Sequence, residues 1–304
     1  MQRQSGKLSW LMRNAFIAEL MSLARTNQNI VLMVGDLGFS VVEPFQEEFP
    51  DRFFNAGVAE QNMMSMAAGL ASEGCHVFVY SIANFPTFRC AEQIRNDVAY
   101  HQLPVTIVAV GGGLAYGNLG YSHHAVQDYA LIRSMPNMLI AAPGDPLEVR
   151  ACLRYLTKNP QPSYLRLGKA GEVCLHKEVP QIEPGKWLHV KQKKSSQHNA
   201  ILATGNGLQI ASVWQENGEY TDYDLYSMPL WGMNQKKLQR EQVERLAKLI
   251  TVEDHLLDAG FGSWMLESLI STPHLLEKVN IKSLDSIVCG MVATQNKLQS
   301  AGGL

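Results

Sequence analysis

The chain has 304 residues, 46% of them hydrophobic and 18% charged, with a formal net charge of −2. That apolar share supports a sizeable core and argues against disorder, and a nearly neutral chain without a long Lys/Arg run lacks the footprint of a nucleic-acid binder. The five cysteines (Cys75, Cys90, Cys152, Cys174, Cys289) are scattered and never CxxC, which predicts reduced thiols in a cytoplasmic protein; the start "MQRQSGKLSW" has no signal core, and no stretch approaches the ~18 apolar residues of a membrane span.

Read in chain order, apolar runs alternate with longer amphipathic segments, the pattern of an α/β protein with mostly parallel sheets. Residues 8–26 carry a helical period through Leu11, Ala15, Ala18, Leu20 and Leu23. "NIVLMVGDL" follows as a strand apolar on both faces, and "FFNAGV", "HVFVYSIA", "PVTIVAV", "NMLIAAP" and "PSYLRLG" are further strands. Helices are predicted over 59–73, 86–101, 124–133 and 145–158, the last opening on "PGDP". From 171 to 195 the chain is polar and proline-containing, a linker with one short hairpin. Alternation then resumes: "AILATG" a strand, 207–217 a helix, "YDLYSMP" a strand, 235–249 a charged helix, "LITVED" a strand, "GFGSWMLESLIS" a helix and "VNIKSLD" a strand. The expected organisation is two three-layer α/β domains, 1–170 and 196–304, joined by 171–195.

Several residues stand out chemically. Glu60 begins a helix in "NAGVAEQNM", where an acid suits the positive dipole end; the surroundings are small and apolar, so a lone carboxylate there needs a partner. The glycine-rich "VGGGLAYGNLGYSHH" (110–124) follows a buried strand, the place where open α/β sheets bind ligands, and ends on His123 and His124. Its glycines do not follow GxGxxG, and no Walker A motif occurs. Asp36 and Ser40 lie just past the first strand, in ordinary turn company. Arg13 reads as a solvated helix residue. Arg166 interrupts an apolar strand, where a guanidinium suits a phosphate or carboxylate. The methionines at 63, 64 and 66 read as core filler, and His255 reads as a surface or interface histidine.

Taken in order, "GDLG", "AGVAEQNM", "NFPTF", "LGYSHHAVQD", "RSMPNMLIAAPGD", "YLRLGK", "ILATG" and "VEDH" resemble the transketolase-like thiamine-diphosphate enzymes, over their pyrimidine-binding and C-terminal domains. The resemblance implies that Glu60 hydrogen-bonds N1′ of the cofactor's aminopyrimidine and so promotes removal of the thiazolium proton. It implies that Phe85 stacks on that ring, that Ile82 replaces a companion aromatic, and that Asp36 is an acid of the interface cofactor site. His123 matches a substrate or proton-transfer histidine; Arg13, Ser40 and Arg166 match the holders of a substrate phosphate. Two positions depart from the family: Leu119 stands where an Asp reads sugar stereochemistry, and Gly111 lies near the place of another histidine. These departures point away from the usual ketoses and towards a different or modified sugar phosphate.

The family's diphosphate site, marked by GDG and a later Asn, is absent from the sequence. The resemblance therefore implies a separate N-terminal subunit that supplies that site together with Mg2+ or Ca2+, no metal ligand coming from this chain, in an α2β2 assembly. The expected function is ketol transfer from a ketose phosphate to an aldehyde. The alternatives are the β subunit of a 2-oxo-acid dehydrogenase, an enzyme like deoxyxylulose-phosphate synthase, a non-catalytic scaffold, and a nucleotide-binding dehydrogenase supported only by scattered glycines.

Overall fold

Residues that alternate along an extended chain face opposite ways, so a strand apolar at every position must be covered on both sides. The computed structural model, which describes residues 11–169, 171–192 and 198–304, follows this rule. Six strands arise in the first half: β1 (Ile30–Val34), β2 (Phe53–Asn55), β3 (His76–Ile82), β4 (Val105–Val110), β5 (Leu139–Ala141) and β6 (Ser163–Leu167). Six more follow: β7 (Leu188–Lys191), β8 (Asn199–Ala203), β9 (Tyr223–Ser227), β10 (Leu230–Gly232), β11 (Lys248–Leu256) and β12 (Val279–Leu284). They form one sheet in the order β10-β5-β6-β4-β3-β1-β2 and a second in the order β12-β11-β8-β9-β7. Each is parallel except at an edge, where β10 runs antiparallel to β5 and β7 antiparallel to β9.

The first sheet is packed as its sequence demands. Ile30, Leu32 and Val34 point into one core with Phe16, Leu20 and Leu153, from the helices Met12–Ala24 and Pro146–Lys158. Val31 and Met33 point into the other, against Met63, Met64 and Ala67 of the helix Glu60–Ser72. That second core continues through Tyr129 and Trp231 to Phe261 and Trp264 and on to one face of the second sheet at Ala200 and Leu202. One apolar layer is thus shared by both sheets. None of the described helices is long and apolar enough to cross a membrane.

Three segments differ from the sequence expectation. Residues 86–101 do not make one α-helix: a 3-10 turn (Phe88–Cys90) and one short α-turn lead into a π-helical turn, Ile94–Ala99. The predicted helix 235–249 is shortened to a 3-10 turn and the helix Gln239–Glu244, because Lys248 and Leu249 are drawn into β11 by pairing with Asn199 and Ala200. The described part of 171–195 holds no hairpin. Its single strand, β7, instead closes the edge of the second sheet, and the segment before it is pinned where Asp145 accepts bonds from the backbone N–H of Leu175 (2.8 Å) and His176 (3.1 Å). β10, from beyond that segment, returns to complete the first sheet, so the two sheets exchange chain.

A buried polar row ties three central strands. His76 Nε2 lies 2.8 Å from Thr106 Oγ1, which lies 2.8 Å from Ser163 Oγ, on β3, β4 and β6 in turn. Burial pushes the His76 imidazole down from 6.5 to about 4. The unfolded chain therefore binds a proton at pH values where the folded chain does not, and stability falls as pH drops from about 6.5 towards 4. Replacing His76 by Leu is expected to flatten that acid slope by up to ~3 kcal/mol, read from urea midpoints at pH 7 and pH 4.5; an unaltered slope would contradict the assignment.

Candidate active site

The turn between β2 and the helix Glu60–Ser72 is built by one side chain. Asn55 Oδ1 accepts from the N–H of Asp36 (3.1 Å) and of Gly57 (3.0 Å), while its Nδ2 donates to Asp36 Oδ1 (3.0 Å). Gly57 takes the left-handed conformation, φ 68°, which glycine adopts at least cost. No side chain caps the helix at Ala59, so the acid of its first turn is Glu60. Glu60 is only 2% exposed. Its Oε2 accepts a 2.6 Å bond from Arg89, whose side chain is 46% exposed, and the same guanidinium lies over the Phe85 ring at 4.7 Å. Buried next to this acid, the Cys90 thiol is pushed up to about 12, chiefly by burial and then by Glu60.

From Glu60 a continuous row of side chains runs along the carboxyl ends of β3 and β4. Phe85, which closes a turn by donating its N–H to the Ile82 carbonyl (2.8 Å), meets the His123 ring edge-on at 5.3 Å. His123 meets Tyr116 at 6.2 Å, and Lys169 Nζ stands 4.5 Å above the Tyr116 ring. Asn84 locks the two segments together by donating to the carbonyls of Ser122 (3.1 Å) and His124 (2.9 Å). Partial burial, and then the neighbouring His124, holds the His123 imidazole below its ordinary value. It is thus neutral near pH 7 and able to accept a proton. Arg13 flanks the row: its charge acts on the phenols of Tyr80 and Tyr116, and its Nε is buried without a hydrogen-bond partner.

The glycine run has a packing reason. A side chain at Gly111 would overlap the Tyr116 ring, one at Gly112 the Arg166 guanidinium, and one at Gly113 the Asp254 carboxylate. Arg166 is 3% exposed, and all its nitrogens are engaged. Nε donates to Asp128 Oδ2 (2.8 Å), Nη1 to Asp254 Oδ1 (2.5 Å) and Nη2 to the Ala125 carbonyl (2.6 Å), with the Tyr129 ring 4.4 Å away. Burial opposes its charge, yet Asp128 and Asp254 keep the guanidinium protonated. This corrects the expectation that Arg166 holds a substrate phosphate: the group is buried and each of its nitrogens is bonded to an interior partner. His255, expected at a surface or an interface, is not at the surface: it is fully buried, stacked on Tyr129 from the other half of the chain at 5.1 Å, with its imidazole depressed to about 4.

Asp36 and Ser40 lie on the loop after β1, exposed, and both have positive φ (53° and 67°), a region that costs energy for non-glycine residues. The Ser40 N–H donates to Glu43 Oε1 (2.7 Å). Phe39 on the loop after β1, Val58 on the turn before Glu60, Phe88 next to Arg89 and Leu119 on the glycine-rich loop are all exposed. The structure therefore brings Glu60, Phe85, His123 and Arg13 into one region, with Ile82 at its base and Asp36 beside the Glu60 turn, and sends Arg166 beneath it. Arg89, Tyr116 and Lys169 went unnoticed in the sequence. Lys169 had a signal, being the second basic residue of "YLRLGK"; the other two had only their nearness to Phe85 and to the glycine run.

Residues 9–171 match the family model described as "Transketolase, pyrimidine binding domain". The chain is similar to an inferred transketolase C-terminal section from Methanocaldococcus jannaschii, 35% identical over 86% of this chain and 82% of that one. It is similar to one subunit of the apulose-4-phosphate transketolase from Phocaeicola vulgatus, 33% identical over 86% of this chain and 84% of the other. Among solved structures, a split-gene transketolase described as an inactive β4 tetramer superposes with a TM-score of 0.80, 30% identity and coverage of 97% of this chain and 94% of that one.

Because Arg166 is an interior clamp, Arg166→Met is expected to destabilise the chain by ~3–5 kcal/mol in urea unfolding, leaving two buried carboxylates uncompensated. Arg166→Lys should not restore stability, because one ammonium cannot span three separate acceptors. Intact stability together with weakened phosphate binding would return Arg166 to the substrate.

Proposed function

Because the chain belongs to the transketolase pyrimidine-binding-domain family, we propose that it is the C-terminal subunit of a split, thiamine-diphosphate-dependent transketolase. In this reading it helps move a two-carbon ketol unit from a ketose phosphate to an aldehyde. The observation that carries the reading is the buried Glu60 beside the ring of Phe85. Both are now covered by one partly exposed arginine side chain, so the acid and the aromatic face fit an aminopyrimidine once Arg89 swings aside. When bound, thiamine diphosphate supplies the carbon nucleophile for the transfer.

Each residue of the row then has a task. Glu60 holds a proton at N1′ of the pyrimidine, Phe85 packs on the ring, and Ile82 forms the wall beneath it. Asp36, oriented by Asn55, is the acid at the subunit interface. His123 accepts or returns a proton at a substrate hydroxyl, for which its neutral state suits it. Arg13 and Ser40 face the substrate phosphate, and Lys169 takes the place first given to Arg166.

The diphosphate and its Mg2+ or Ca2+ would be held by a separate N-terminal subunit, in an α2β2 assembly. Two relatives described as a section and a subunit support this division, as does the description of the similar solved structure as inactive when built of β chains alone. The exposed Phe39, Val58 and Phe88 are apolar groups for such an interface to cover. Residues 1–170 are read as the pyrimidine-binding domain, 171–195 as the connector and 196–304 as the C-terminal domain. All five cysteines are free thiols, in keeping with a reducing, cytoplasmic setting. Glu60 and Phe85, both in place, weigh against a scaffold without catalysis.

In the enzyme assembled with its partner, Glu60→Gln is expected to cut turnover of a ketose phosphate with an aldehyde by about 100-fold or more while leaving the unfolding midpoint nearly unchanged. Near-wild-type turnover would sink the assignment. Turnover of a 2-oxo acid in place of the ketose phosphate would move the enzyme to the dehydrogenase class.

A further inference from the structure

At the end of the row away from Glu60 the charges do not balance. Arg13 and Lys169 both act on Tyr116, one through its charge and one through its ammonium 4.5 Å above the ring. Among the described residues neither cation is paired with a carboxylate, and the buried Arg13 Nε has no hydrogen-bond partner at all. A partly buried guanidinium with an orphaned donor is costly unless an anion joins it. Tyr116 carries Lys169 over its ring and meets His123 at 6.2 Å. Its hydroxyl has no hydrogen bond among the described residues, and burial raises its phenol above the ordinary value, so it stays protonated and can donate. Its ring lies so close to Gly111 that any side chain there would overlap it, and Gly111 itself has φ 80°, a conformation that disfavours other residues. The ring is therefore seated on backbone, and the room next to His123 is set by the tyrosine.

We propose that Tyr116 is a specificity-determining residue: its hydroxyl joins Arg13 and Lys169 in binding the substrate's phosphate, and its ring, seated on Gly111, sets the width of the passage from that phosphate to His123. The assignment rests on the ketol-transfer reading only in taking the anion to be a sugar phosphate. It follows from the proposal that a straight-chain ketose phosphate passes the ring edge, whereas a branched one needs the space that the ring occupies. Hydroxyl and ring thus have separate consequences, one for the phosphate and one for the shape of the carbon chain.

The first test uses the purified full chain and calorimetric titration with inorganic phosphate. Wild type is expected to bind, Tyr116→Phe to bind about 5–10-fold more weakly, and Arg13→Met more weakly still. Equal binding by wild type and Tyr116→Phe, or none by either, overturns the proposal. The second test uses the enzyme assembled with its partner subunit and three probes: xylulose 5-phosphate, xylulose and apulose 4-phosphate. Tyr116→Phe should raise KM for xylulose 5-phosphate by about 5–10-fold, with the loss falling on KM rather than kcat, and should leave KM for xylulose in place. Tyr116→Ala should raise the ratio of kcat/KM for apulose 4-phosphate over xylulose 5-phosphate by about tenfold or more. A uniform loss across all three substrates would mean that Tyr116 only supports the loop, and the proposal would fail. Phosphate binding that depends on Tyr116, in an enzyme that turns over none of the sugars, would reject ketol transfer and leave the phosphate role of Tyr116 standing.

Discussion

The buried clamp of Arg166 between Asp128 and Asp254 is the interaction on which the site depends. Asp128 begins the helix Asp128–Arg133 beside the first sheet, and Asp254 lies on β11 of the second. One guanidinium on β6 reaches both, and Gly112 and Gly113 leave room for it and for the Asp254 carboxylate. A charge in so dry a place persists only when it is compensated and bonded, and here the Ala125 carbonyl gives the remaining nitrogen its partner. Because Ala125 closes the glycine-rich loop, bonded in both directions to Gly113, the clamp also sets where that loop begins and ends. Tyr116 and His123 hang between those two points.

The second sheet supports the same loop from its far side. Leu298, in the helix Gln295–Ala301, packs with Leu114 and Val126, and any side chain at Gly117 would strike Leu298 and the Ala293 carbonyl. Loops of this length are usually adaptable, but this one is held at both ends and underneath. The result is a rigid edge carrying His123 towards Phe85, with Asn84 fastening the two. Glu60 is served differently. Its partner, Arg89, is half in solvent, so the acid is compensated in the chain by itself through a pair that stays open to water on one side. The contrast with Arg166 is one of burial: an ion pair closed off from water serves the fold, while one open on a side can be exchanged.

Much of this was legible in the residues. Runs such as "IVLMV", apolar at every position, and "VTIVAV", apolar at all but Thr106, suit a strand covered twice, and both are interior strands of the first sheet. "AGVAEQNM" foretold a helix opening on an acid, because small residues and a glycine make the turn. The misreadings came from long-range partners. Arg166 within "YLRLG" looks like a group waiting for a ligand, since nothing local answers its charge; Asp254 answers it from 88 residues away. For His255 the residues left surface and interface both open, because its cover, Tyr129, comes from the other half of the chain. The helix foreseen over 235–249 failed because pairing with β8 outweighed helix propensity at Lys248 and Leu249.

The sequence by itself determined the alternation of strands and helices, the acid at the start of one helix and the order of motifs that marks the family. All of these rest on local spacing and on residue type. Only the tertiary structure decided which charged groups are spent inside and which remain for a ligand. Charge compensation is settled by distance in space: Arg166 found two carboxylates and was absorbed, Arg13 found none among the described residues, and Glu60 found an arginine that stays half in solvent.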